Sequence, residues 1–193
     1  MKQKGFTIVE IIIVITVIGI LAAIAIVSYN GIVQRANNAQ TVEAVRQWAE
    51  ALQTYEADHP ESLPTILVNE AACLGEGYPS VAGKFSLGEC VAISGGGSLS
   101  ESSTLNSQMK DYLDGGIPNP SFQETSIVPG NPYGWSSGDF RGIMTNSLGG
   151  GSVSLIFFQA GASSCPSLGN NLSSEPVEGL FDGGVACAVV VDG

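Results

Sequence analysis

Basic residues are scarce in this chain. It has 7 lysines and arginines against 18 aspartates and glutamates, a formal net charge of −11, and a single histidine. An acidic surface repels phosphates, which disfavours bulk non-specific binding to nucleic acid. Lys84, Lys110 and Arg141 are too scattered to suggest a local basic patch. The lone histidine, His59, stands before a proline at the end of a helical pattern and reads as a surface or capping residue. Catalytic signatures are missing too. There is no Gly-x-Ser-x-Gly elbow, and no glycine-rich stretch carries the lysine of a phosphate-binding loop, so Gly95-Gly96-Gly97 and Gly149-Gly150-Gly151 read as flexible loops. No C-x-x-C occurs and His59 is far from any cysteine in sequence, which argues against zinc. Asp111, Asp114, Asp139 and Asp182 could offer oxygens to calcium, but no EF-hand pattern supports it. The expectation is a non-enzyme without catalytic residues, cofactor or metal. No internal repeat is present, and Asn171-Leu172-Ser173 fits a glycosylation sequon of a kind that often arises by chance.

What the chain has instead is an almost unbroken apolar run from Ile11 to Val27, with Glu10 at its threshold. Lys2 and Lys4 lie upstream, and the next basic residue is Arg35. From Phe6 to Tyr29 there are 24 residues, about 36 Å as a helix, long enough to cross a hydrocarbon core. Ile and Val are mediocre helix formers in water, but in lipid the backbone must satisfy its own hydrogen bonds. Gly19 is a weak point in that helix. An isolated charge is expensive in hydrocarbon, so Glu10 needs a purpose. A secretory leader cut near Ala23-Ile24-Ala25 is one alternative, and an uncleaved signal anchor is another. Against the first, Glu10 falls where the apolar region should begin.

After Asn30 and Gly31 the pattern changes. Ile32, Ala36, Ala39, Val42, Val45, Ala49, Leu52 and Tyr55 recur at 3-and-4 spacing, with Glu43, Arg46, Gln47 and Glu50 on the other side. This predicts an amphipathic continuation of the helix to about Asp58, since Pro60 disfavours helix at His59. Trp48 reads as an anchor of its packing. A short helix is predicted over Ser102–Leu113, capped by Ser102 or Ser103 and burying Leu105, Met109, Tyr112 and Leu113. Strands are predicted over Lys84–Ile93, Gly142–Asn146, Val153–Gln159 and Val185–Val191, the last three as antiparallel neighbours. Ile117–Gly138 is loop-rich and takes no assignment. The fold class is α+β: a long N-terminal helix packed on a C-terminal antiparallel sheet.

Cys73, Cys90, Cys165 and Cys187 all lie beyond the apolar run, and an even count in an exported region reads as two disulfides. Of the three possible pairings, Cys73–Cys90 with Cys165–Cys187 is favoured because each pair brackets a local loop. Closing loops of that size stabilises by about 3 kcal/mol each in the entropic view.

The opening residues, Met1 to Gly5 followed by Phe6, Thr7 and Glu10, together with Ile18-Gly19-Ile20-Leu21-Ala22-Ala23-Ile24-Ala25, closely resemble the class III leader of type IV pilins and pseudopilins. The likeness covers roughly the first third of the chain. It implies a leader at 1–5, a membrane and filament-core helix at 6–29, an amphipathic continuation at 30–58 and an exported head at 59–193. It further implies cleavage by a prepilin peptidase between Gly5 and Phe6, then methylation of the Phe6 amine. Loss of Lys2 and Lys4 makes the mature chain two charges more negative. Phe6, Thr7 and Glu10 would form an assembly layer, with Glu10 of one subunit meeting the Phe6 amine of a neighbour. The implied partners are copies of itself, other pilins and the pilus assembly machinery. The implied location is the cytoplasmic membrane and then the cell surface, in adhesion, motility or DNA uptake. A pseudopilin of a type II secretion or competence system is the alternative, and a binding domain on an uncleaved anchor is a second.

One departure matters. Many pilins carry a proline seventeen residues after the acid, where this chain has Val27. Without it, the break in the stalk is reduced to Gly19. Backbone chemical shifts of the assembled fibre should therefore be helical through Gly19–Val27; a melted stretch there would contradict this.

Overall fold

The computed structural model describes residues 7–59, 63–64, 67, 70–95, 97–132, 134–149, 151–169, 172 and 174–191. The chain divides into two units, Met1–Ala36 and Asn37–Gly193. Helix α1, Ile8–Asp58, begins in the first and continues in the second. It stops where the sequence stops it: the His59 amide still donates to Tyr55 O at 2.9 Å, and the proline that follows disfavours a further turn.

In the second unit, the 3-and-4 stripe of α1 becomes the core from Val42 onward, whereas Ile32, Ala36 and Ala39 of the expected stripe stay exposed. Val45, Trp48, Ala49 and Leu52 are fully buried. Trp48 also satisfies its indole, whose Nε1 donates to Pro118 O at 3.1 Å. The remaining elements are β1 (Cys73–Leu74), β2 (Glu89–Ile93), β3 (Ser98–Ser100), α2 (Ser103–Met109) with a 3-10 turn at Lys110–Tyr112, β4 (Glu124–Ile127), β5 (Gly138–Arg141), β6 (Ile143–Gly149), β7 (Ser152–Ala160), β8 (Glu175–Val177) and β9 (Gly184–Val191). They form two antiparallel sheets, ordered β1-β6-β7-β9-β8 and β3-β2-β5-β4.

The five-stranded sheet is covered on both faces. Val153, Leu155 and Phe157 of β7 join Trp48, Leu52, Leu105 and Met109 in one apolar cluster. Ile156, Phe158 and Ala160 of the same strand join Val91, Ile127, Phe140 and Phe181 in another. Phe181 stacks on Phe140 with ring centroids 4.4 Å apart and meets Phe158 edge-on at 5.7 Å. This double burial explains why β7 reads as a continuous apolar run rather than an alternation. The second sheet, absent from the sequence-based expectation, is what covers the far face.

Three details differ from that expectation. The strand expected over Lys84–Ile93 is β2 alone, because Val81 and Phe85 bridge across a tight turn first. Arg141 holds that turn from beneath. Its guanidinium lies 4.1 Å over the Phe85 ring and donates to Glu89 O at 2.8 and 3.0 Å, and to Pro79 O. Burial pulls this arginine below its ordinary pKa. The unassigned stretch Ile117–Gly138 supplies β4 and the start of β5. The chain crosses between sheets at Gly142, where φ is +77° and an added Cβ would stand 2.5 Å from the Tyr78 hydroxyl.

Disulfides join Cys73 to Cys90, tying β1 of one sheet to β2 of the other, and Cys165 to Cys187, tying β9 to the loop that follows β7. The α2 helix is capped by Ser102, whose Oγ accepts from Leu105 N at 3.2 Å. Replacing Trp48 by Ala should lower the unfolding free energy by about 3–5 kcal/mol in denaturant titrations of the detergent-solubilised chain. Replacing exposed Leu87 by Ala should change it by less than about 0.5 kcal/mol.

Candidate functional site

Side chains from Thr7 through Ile26 are all exposed within this chain, although nearly all are apolar. Ile8, Val9, Ile15, Ile18, Ile20, Leu21, Ile24 and Ile26 are each more than half exposed. By length and composition, α1 contains a segment able to cross a membrane. A water-facing apolar surface of this extent marks a segment that is covered by lipid or by other protein.

Within that surface the polar groups satisfy themselves. Thr16 donates back to Ile13 O at 2.8 Å. Glu10 and Thr7 form a reciprocal capping box at the start of α1. Thr7 N and Thr7 Oγ1 donate to Glu10 Oε2 at 2.8 and 2.6 Å, while Glu10 N donates to Thr7 Oγ1 at 3.3 Å. The box satisfies otherwise orphaned amides and places a carboxylate at the positive end of the helix. Both carboxylate bonds end on Oε2, and Oε1 takes no part in the box. The Thr7-x-x-Glu10 spacing is the sequence signature of this motif.

Gly5 and Phe6, the residues expected at the cleavage and methylation site, lie outside the described residues, as do Lys2 and Lys4. Thr7 and Glu10 are brought together. Cys73, Cys90, Cys165 and Cys187 sit in the second unit as the two disulfides. Asp111, Asp114, Asp139 and Asp182 are dispersed: Asp139 lies 3.5 Å from Lys84 Nζ, and Asp182 Oδ1 accepts from Gly183 N at 2.8 Å. Among the described residues no three His, Cys, Asp or Glu side chains form a group fit to hold a metal ion. His59 stacks on Tyr55 with ring centroids 4.3 Å apart. Farther along α1, Arg46 contacts Glu43 at 2.6 Å and Glu50 at 3.6 Å. Hydrogen bonds from Arg46 and then Gln47 hold the Glu43 carboxyl below its ordinary pKa.

Residues 1–26 match the model described as the prokaryotic N-terminal methylation motif. The chain therefore carries a prokaryotic N-terminal methylation motif in its first 26 residues. It is 42% identical over 66 residues to a type IV major fimbrial protein FimA of Dichelobacter nodosus, covering 32% of this chain and 41% of the relative. It is 34% identical over 73 residues to the type IV major pilin protein PilE1 of Neisseria gonorrhoeae, covering 36% of this chain and 34% of that one. The chain thus spans about two fifths or less of these relatives' lengths. No solved structure matches it. The pilin-like motif and the exposed apolar helix coincide, and the capping box lies inside both.

Removing the box should be visible locally. Thr7→Val in micelles should speed hydrogen exchange at the Glu10 amide, whereas Thr7→Ser should keep it slow. Equal exchange in both would mean that the box does not persist.

Proposed function

We propose that the chain is the structural subunit of a type IV pilus-like surface filament. It is made as a membrane prepilin, cut by a prepilin peptidase after Gly5, methylated at Phe6 and polymerised through its N-terminal helix. The observation that carries this reading is Glu10, a carboxylate in the first turn of an exposed apolar helix, within the N-terminal methylation motif. Residues 6–29 would lie in the bilayer and then in the filament core, 30–58 would continue into the head, and 59–193 would be exported.

Cleavage leaves a new amino group at Phe6, one turn from Glu10. In a bundle of parallel helices, that amine can meet the Glu10 carboxylate of a neighbour through the oxygen left outside the capping box. An ion pair in an apolar interior gives little net stability against a hydrophobic substitute, but leaving one partner unpaired is costly. The pair therefore fixes axial register, while the apolar surface supplies cohesion. Before assembly lipid covers that surface; afterwards other subunits do. The assembly machinery and other pilins complete the partner set, and the disulfides suit a head displayed outside the cell.

Mass spectrometry of material sheared from the cell surface tests this. The expected chain begins at methylated Phe6 and is lighter before reduction by the hydrogens of two disulfides. A chain that keeps Met1 and is found only in membranes would overturn the proposal in favour of an anchored domain.

A further inference from the structure

In the second unit, α2 forms one wall of a cleft of about 690 Å³. Ser103, Asn106, Ser107 and Lys110 stand three and four residues apart and line it together. The rest of the lining comes from the loops beside the Cys73–Cys90 bridge, with Glu76 after β1 and Leu87 before β2, and from Glu101 just past β3. Backbone bonds fix these loops: Glu76 N donates to Asn119 Oδ1 at 2.6 Å, and Glu101 N donates to Gly88 O at 2.9 Å.

Asn106 is the decisive residue. It is only 9% exposed. Its Nδ2 donates to Gly75 O at 3.1 Å, which fixes the two ends of the amide. Oδ1 is buried and accepts no hydrogen bond among the described residues. Folded proteins rarely leave a buried acceptor so, and one on a residue that lines a cleft calls for a donor brought by a ligand.

The lining says which donor. An anion would meet Glu76 and Glu101, and a bare cation would meet Lys110. Among the described residues no group of three acids, histidines or cysteines is fit to hold a metal ion. Hydroxyl groups both donate and accept, so they can use the carboxylates, the amide oxygen and the ammonium together. Leu87, 78% exposed, and Ile117 add apolar surface suited to the C–H faces of sugar rings. The volume lies within the range of about 300–1,000 Å³ usual for small-molecule sites. We infer that this cleft binds a neutral oligosaccharide, one of whose hydroxyls donates to Asn106 Oδ1. All of it lies in the second unit, so the inference is independent of the filament reading.

The test uses the full chain in micelles of a detergent without sugar headgroups, applied to an array of neutral and acidic oligosaccharides. Neutral glycans should be retained, and titrating one of them should shift the side-chain amide signals of Asn106. Leu87→Ala and Glu76→Ala should each weaken that binding about tenfold, and Asn106→Leu should abolish it. Leu87 and Glu76 are exposed, so their variants keep the test valid should Asn106→Leu fail to fold. Retention of no glycan, or of acidic glycans alone, overturns the inference. So does binding that leaves the Asn106 signals unmoved, or that Leu87→Ala and Glu76→Ala leave unchanged.

Discussion

The burial of one stripe of α1 is the constraint on which the head depends. Val45, Trp48, Ala49 and Leu52 can leave water only against something apolar, and one face of the five-stranded sheet supplies it. That contact fixes which residues of β7 and β9 point toward the helix, since a one-residue slip would turn Val153, Leu155 and Phe157 away. The alternate residues of β7 then need a cover of their own, and the four-stranded sheet provides it. The Cys73–Cys90 bridge and the Gly142 crossing join the two sheets where their strands succeed each other.

The same helix carries a second apolar surface of a different kind. From Ile8 to Ile26 nothing among the described residues covers it. Its one charged group is tied up locally, with Glu10 bonded to Thr7 rather than to a distant partner. A carboxylate held this way suits both settings in the proposed life cycle. In the membrane the box reduces the number of unsatisfied polar atoms, and in a bundle the spare oxygen remains available to an amine. In the proposed filament, capping and assembly would use the same two residues.

Features with long, repeated periods were legible from sequence. The buried part of the α1 stripe from Val42 and the runs that form β6, β7 and β9 span enough residues for their period to show, and the Ser102 cap of α2 is legible from its residue type at the helix start. The second sheet was not. β5 is Gly138-Asp139-Phe140-Arg141, and its buried arginine hides an inward-facing position behind a charge. β4 buries only Thr125 and Ile127, and Thr125 earns its place through a hydrogen bond to Asp182 O at 2.8 Å. One clue was available: β7 is apolar at consecutive positions, as a strand covered on both faces must be. In the candidate site, the Thr7-x-x-Glu10 spacing already carries the capping box, whereas a pairing of Glu10 with a neighbour's amine says nothing of that local bond.

The most direct measurement is a side-chain-resolution reconstruction of filaments sheared from the producing cell. The predicted result is a core of parallel N-terminal helices in which the Phe6 amine of one subunit lies within ion-pair distance of Glu10 on the next. Filaments whose cores place Glu10 away from every neighbouring amine, or whose N-terminal helices lie outside the core, would contradict it.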